Sequence, residues 1–276
     1  MASNLTKRLA VAALGVPLCV AVTWAGGPLF AAGLAVLAVV ALREIAAMVR
    51  ERDQVFLEGP AAAIAALFPL SVWFAGPGSV GPLAAAALIT LTGIAALRIA
   101  PAERPFQAAA LSFTAVFYVG GLLAFGVPLR ETMIAGRLEG TLLFFLPVVV
   151  TWLVDTAAYS GGRAFGRRRL APRISPNKTV AGGVSALAAG PVAAAAYGLL
   201  LLPALSEDLG LFGLLALGLV LAAAAIVGDL VESSLKRECG VKDSSTLLPG
   251  HGGLLDRMDS LLWTIPVAWF FLEALA

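Results

Sequence analysis

Charge is scarce in this chain. Asp, Glu, Lys and Arg make up 13 % of its 276 residues and hydrophobic residues 60 %, against roughly 25 % and 45–50 % in a soluble domain. A water-soluble fold of this length needs a polar surface that so few charges do not supply, and the mean hydropathy of +0.93 points the same way. Soluble enzyme, nucleic-acid module and disordered linker are excluded, which leaves a polytopic membrane protein. Histidine is nearly missing too: His251 stands alone, so a multi-histidine metal site is ruled out. Of two cysteines, Cys19 lies in an apolar run and Cys239 in a charged loop. Neither a disulfide between them nor a thiolate metal spacing is expected.

Period-two alternation is also lacking, so the membrane-crossing elements are helices rather than barrel strands. Apolar stretches run over Leu9–Trp24, Leu29–Leu42, Ala61–Phe74, Leu83–Leu97, Phe106–Phe125, Thr141–Ser160, Val180–Leu202, Leu209–Val231 and Leu261–Ala276. Several fall short of the ~20 residues of a perpendicular span and need flanking residues or a thinned bilayer. The expectation is an all-α protein of about nine transmembrane helices. It forms one transmembrane domain, 1–276, whose helices over 9–140 are weakly specified and whose 141–276 part carries the polar chemistry. Lys7 and Arg8 before an apolar run imitate a signal peptide. No small-x-small site ends that run, and an uncleaved first helix is expected.

Charge asymmetry sets orientation. With the N-terminus in the cytoplasm, 17 of the 19 Lys and Arg residues fall inside and only Arg130 and Arg137 outside. Two segments on that inner side hold most of the polar residues. One runs from Asp155-Thr-Ala-Ala-Tyr159 through Arg167–Arg169 to Ser175-Pro-Asn-Lys-Thr179. The other runs from Gly228-Asp229 to Asp259.

Asp155 and Asp229 lie near inner helix ends, where a carboxylate is costly and usually has a partner or a task. Helical spacing puts Asp229, Glu232, Ser233, Lys236 and Arg237 on one stripe, and Asp256 and Asp259 on one face. Hard oxygen ligands among many cations suit Mg²⁺ with a phosphate substrate. They suit a lattice of salt bridges with Lys236, Arg237 and Arg257 equally well, and spacing alone leaves both open. Ser175-Pro-Asn-Lys-Thr stands just before a helix, where N-termini favour anions; taken alone it reads as an ordinary cap. Arg167–Arg169 reads as a topology signal or an anionic-lipid contact. Pro249-Gly-His-Gly-Gly lets backbone approach a ligand closely and sets His251 near Asp256.

These residues resemble a known family. Ser233-Ser-Leu-Lys-Arg237, then Lys242-Asp243, then Pro249-Gly-His-Gly-Gly-Leu-Leu-Asp-Arg-Met-Asp259 are similar to the signature of phosphatidate cytidylyltransferase (CDP-diacylglycerol synthase) over 27 residues. Asp155-Thr-Ala-Ala-Tyr159, Ser175-Pro-Asn-Lys-Thr179 and Gly228-Asp229 resemble its other polar motifs, in order. The resemblance covers the C-terminal half; the N-terminal half agrees only as apolar helices. One position departs: where the family usually has a glutamate, this chain has Ala181, which puts any role of that acid in doubt here.

The resemblance implies transfer of the cytidylyl group of CTP to phosphatidic acid in the bilayer, at the cytoplasmic face of a bacterial inner membrane. It implies Mg²⁺ held by Asp229 and Asp256, with Asp155 and Lys178 as further catalytic groups. Ser175, Asn177, Ser233, Lys236, Arg237, Lys242, His251 and Arg257 are the expected substrate contacts. A second, monovalent ion and a homodimer stay open. Two rivals predict otherwise: a secondary transporter would carry its acids at the midplane with repeat symmetry, and a non-catalytic scaffold would not use CTP.

Overall fold

In the computed structural model, which describes residues 2–131, 136–250 and 252–275, each of the nine apolar runs maps onto a helix. These are α1 (Ala2–Ala25), α2 (Gly27–Arg50), α3 (Glu58–Ala75), α4 (Val80–Arg98) and α5 (Pro105–Glu131), followed by α6 (Arg137–Phe165), α7 (Val180–Leu201), α8 (Pro203–Glu238), the single turn α9 (Leu255–Met258) and α10 (Leu261–Glu273). Seven of the described helices, α2 to α8, are long and apolar enough to cross a membrane. The outer two of the nine expected spans are helices as well but shorter: the apolar part of α1 covers Val11–Ala25, and α10 has 13 residues. The chain is an all-α integral membrane protein. Its exposed large side chains, such as Phe74, Leu97, Phe106 and Phe212, suit hydrocarbon rather than water.

The chain divides into two compact units, Met1–Glu131 with Glu238–Arg257, and Thr132–Arg237 with Met258–Ala276. In the first, Leu42, Phe68, Leu91, Leu123 and Leu129 are fully buried. Phe68 meets Phe117 edge-on at 6.0 Å. Phe117–Gly121 forms a π-turn inside α5, where Gly120 lies so close to the Ala65 carbonyl that no side chain would fit. Arg130, one of the two arginines assigned outside, is buried rather than solvated. Its Nε and Nη2 donate to the Thr23 and Trp24 carbonyls at 3.0 and 3.2 Å, closing the C-terminal end of α1.

In the second unit α6, α7 and α8 pack through small residues. Gly182 faces the Ala158 carbonyl and Gly161 faces Ser185, so α6 and α7 approach closely. Gly190 of α7 and Gly218 of α8 stand carbonyl to α-carbon. α8 breaks at Gly210, whose φ of 62° a side chain would disfavour. Thr151 bonds Thr264 at 3.2 Å and Tyr197 donates to the Leu142 carbonyl at 2.8 Å, tying α6 to α10 and to α7.

The main addition to the helical reading is a short hairpin between α6 and α7. β1 (Arg169–Ala171) pairs antiparallel with β2 (Ser175–Thr179), with Arg169 opposite Thr179 and Ala171 opposite Ser175. Pro172 suits the turn and Pro176 disfavours helix, so the motif stays extended until Thr179. There the Thr179 hydroxyl accepts from the Gly182 N–H at 3.1 Å and caps α7. Thr179→Ala is expected to cost roughly 0.5–2 kcal/mol and Thr179→Ser much less, read as melting temperature in detergent. Equal melting of all three proteins would show the cap to be idle.

Candidate active site

Polar side chains of the second unit converge on a cavity of about 700 Å³, within the ~300–1,000 Å³ usual for small-molecule sites. α6 contributes Asp155, Tyr159 and Arg163 at i, i+4 and i+8, β1 Arg169, β2 Asn177 and Lys178, and α8 Asp229. Val154, Leu170 and Ile226 add apolar wall, while Gly162, Gly182 and Gly183 leave backbone bare.

Lys178 sets the electrostatics. Its Nζ lies 2.5 Å from Asp229 Oδ2, and Asp229 Oδ1 accepts from Ser233 Oγ at 3.2 Å. The ammonium nitrogen is buried and makes no further hydrogen bond among the described residues. An ammonium has three donors, so some are uncommitted beside the cavity.

Helix register explains why this pair meets. Gly198 packs on Leu214, Gly190 on Gly218, and Lys178 pairs with Asp229; residue numbers fall along α7 as they rise along α8, as in an antiparallel pair. Lys178 precedes the glycine crossing by 12 positions and Asp229 follows it by 11. At 1.5 Å per residue Asp229 lies roughly 17 Å from it along α8, and Lys178 stands near the end of β2, just before α7 begins.

Asp155, Asp229 and Asp259 act on one another electrostatically, and Lys178 acts on Asp155 and Asp259. Asp259 precedes α10. Burial, and next the charge of Asp229, push its carboxyl up to about 6, against the Ser260 N–H, Lys236 and Lys178. Carboxylates that repel one another favour an added cation. Among the described residues no three His, Cys, Asp or Glu side chains are grouped to hold a metal. A Mg²⁺ ion typically takes only one or two carboxylates and completes its shell with phosphate and water.

Asp256 belongs to the first unit. Its Oδ2 accepts from the Gly253 N–H at 2.8 Å and the Ser244 N–H at 3.0 Å, and the Ser244 hydroxyl oxygen lies 3.2 Å away. Asp256 lies on the single turn α9, which ends at Met258, and Asp259 follows it.

The other expected contacts divide. Asn177 and Lys178 line the cavity with Asp155 and Asp229, and Ser233 bonds Asp229. Lys236 pairs with fully buried Glu232 at 2.6 Å, the stripe predicted from spacing. Arg237 Nε donates to the Ile174 carbonyl at 3.4 Å. Ser175 is half-buried at the start of β2, and Lys242 and Arg257 are exposed. His251 lies outside the described residues.

Sequence reasoning missed Glu44. Ending the second span at Leu42 placed this acid in a loop, whereas α2 continues to Arg50 and buries it. An acid among apolar residues was the signal.

The model of the cytidylyltransferase family matches residues 6–275 of this chain. Among similar proteins, the phosphatidate cytidylyltransferase of Haemophilus influenzae is 42 % identical over 133 residues, 48 % of this chain and 46 % of that protein. That of Staphylococcus saprophyticus is 40 % identical over 162 residues, 59 % of this chain and 58 % of that protein. That of Brucella suis is 46 % identical over 131 residues, 48 % of this chain and 46 % of that protein. The chain spans about half the length of the relatives it matches.

Proposed function

The chain belongs to the cytidylyltransferase family, and on that footing we propose that it transfers the cytidylyl group of CTP to phosphatidic acid. A phosphate oxygen of the lipid attacks the α-phosphorus of CTP, the bond from that phosphorus to the bridging oxygen breaks, and pyrophosphate leaves. CDP-diacylglycerol stays in the bilayer. The attacking oxygen is already anionic, so the obstacle is repulsion between two polyanions, and the protein's task is neutralisation and alignment.

The observation that carries this reading is the buried Lys178 ammonium with uncommitted donors, set beside a cavity of nucleotide-binding size. Lys178 neutralises phosphate charge, and Arg163 and Arg169 extend the positive wall. Asn177 supplies neutral donors, and the apolar side accepts the base or the lipid. Ser175, Ser233, Lys236, Arg237, Lys242, His251 and Arg257 keep the substrate-contact roles that their motifs suggest. Mg²⁺, with Asp229 and Asp256 as its ligands, would supply the remaining neutralisation of phosphate charge. Asp229 is supported by the acidic cluster around it, Asp256 by its motif alone. The partition of 17 basic residues to one side supports a cytoplasmic site at a bacterial inner membrane.

Lys178 provides the test. Lys178→Ala is expected to lower the initial rate of CDP-diacylglycerol formation at least about a hundredfold, the scale of a lost charge-stabilising donor. Lys178→Arg should recover part of it, since a planar fork replaces a compact ammonium. Both proteins should insert in the membrane normally. Wild-type turnover in the alanine protein would return this motif to an ordinary helix cap.

A further inference from the structure

A fully satisfied acid lies in the first unit. Glu44, on the last turns of α2, is 5 % exposed, and its carboxylate reaches a loop 200 residues further along the chain. Oε1 accepts from the Ser245 hydroxyl at 2.6 Å and the Leu254 N–H at 2.9 Å. Oε2 accepts from the Leu255 N–H at 2.8 Å and the Ser244 hydroxyl at 2.9 Å. Two bonds on each oxygen complete the usual acceptor capacity of a carboxylate.

The loop it holds carries the signature motif. Ser244 is shared: its hydroxyl lies 2.9 Å from Glu44 Oε2 and 3.2 Å from Asp256 Oδ2, and its N–H donates to Asp256. Gly253 packs against both Glu44 oxygens so closely that a β-carbon there would meet them at 2.6 and 2.8 Å. Between the clamped ends, the Leu248 N–H donates to the Gly252 carbonyl at 2.8 Å. Burying a carboxylate is costly, and apolar packing would hold a loop at less expense. What four directed bonds add is a fixed geometry.

We propose that Glu44 is a positioning residue. It fixes the backbone at Leu254 and Leu255 and the hydroxyl of Ser244, and through them sets the orientation of Asp256. The kinetic part of this inference rests on the proposed cytidylyl transfer; the structural part does not. Substitution by glutamine is the informative change. An amide turns one N–H₂ towards two of the four donors, and a backbone N–H, unlike a hydroxyl, cannot turn round to accept.

The experiment is hydrogen exchange of the full-length protein in detergent, paired with initial rates against Mg²⁺ at saturating CTP and phosphatidic acid. Glu44→Gln is expected to speed exchange at Leu254 and Leu255 about tenfold or more, with the helices unchanged. The Mg²⁺ concentration for half-maximal rate should rise on the order of tenfold, as for loss of an outer-shell partner. Ser245→Ala, which removes one of the four bonds, should move both readouts in the same direction by less. Combined with Glu44→Gln, it should add little. Unchanged exchange at Leu254 and Leu255 in Glu44→Gln would overturn the proposal, as would unchanged Mg²⁺ dependence in an active protein. If Glu44→Gln does not fold, unchanged exchange in Ser245→Ala overturns it. If the wild type makes no CDP-lipid, the transfer reading fails, and exchange alone decides the role of Glu44.

Discussion

Asn in place of Asp229, and separately in place of Asp256, is expected to cut CDP-lipid formation at least about a hundredfold while the protein still inserts and purifies. Asparagine keeps the size and loses the charge that a hard cation most needs from its ligand. At Asp229 the change also strips Lys178 of its ion-pair partner at 2.5 Å and leaves Asp155 and Asp259 as the neighbouring acids. The Mg²⁺ requirement of the remaining activity should therefore rise. Asp256 has two roles to separate, since its Oδ2 also accepts from Ser244 and Gly253. A variant that melts earlier but keeps wild-type turnover and Mg²⁺ dependence would confine Asp256 to holding its loop. A variant that melts normally and needs more Mg²⁺ would make it a ligand. Melting temperature and initial rates against Mg²⁺, measured on the same preparations, distinguish the two. In a pure salt-bridge lattice, activity would fall only in step with stability.

The second large effect is expected far from the cavity. Gly218→Val places a branched side chain against the Gly190 carbonyl and Pro191, where even a β-carbon has no room. Overpacking of this kind costs typically 1–3 kcal/mol, more where backbone must move. Helices joined by small residues answer by separating. Because Lys178 and Asp229 are placed by that crossing, separation breaks their pair roughly 17 Å away. Gly218→Val should melt well below the wild type and lose nearly all turnover even at temperatures where it stays folded. Leu219→Val is the control: it lies on the same helix beside Gly218, and its side chain is exposed. It should lose much less. Equal damage from both would detach the site from the α7–α8 crossing.

The helices were legible because hydrocarbon demands long uninterrupted apolar runs, and each run in the sequence became one. Their ends were less legible. Arg43 and Glu44 look like the edge of a span by composition, yet α2 carries them two turns onward and buries the glutamate against Ser244 and Ser245. No local pattern announces a bond between residues 200 positions apart. Arg130 misled for a related reason: as a charge it counts towards topology, whereas its guanidinium is spent on the Thr23 and Trp24 carbonyls. In the candidate site, the stripe from Asp229 to Lys236 followed from helical arithmetic and is present. For Asp256 and Asp259 the same arithmetic has less helix to work on, since α9 is a single turn that ends at Met258. The Ser175–Thr179 motif was legible as a segment leading into a helix. That it is a strand, and that it delivers Lys178 to Asp229, depended on α7 and α8 packing.

Whether the α-phosphorus of CTP passes to a lipid phosphate can be read from the position of a radioactive label. Purified protein in detergent is given phosphatidic acid, Mg²⁺ and CTP labelled either at the α- or at the γ-phosphate, and the lipid is extracted. The α-label is expected to enter the lipid fraction as CDP-diacylglycerol while γ-label stays in water as pyrophosphate, and Lys178→Ala should nearly abolish the passage of α-label into lipid. Label absent from the lipid with either substrate, or γ-label recovered in the lipid, would contradict cytidylyl transfer.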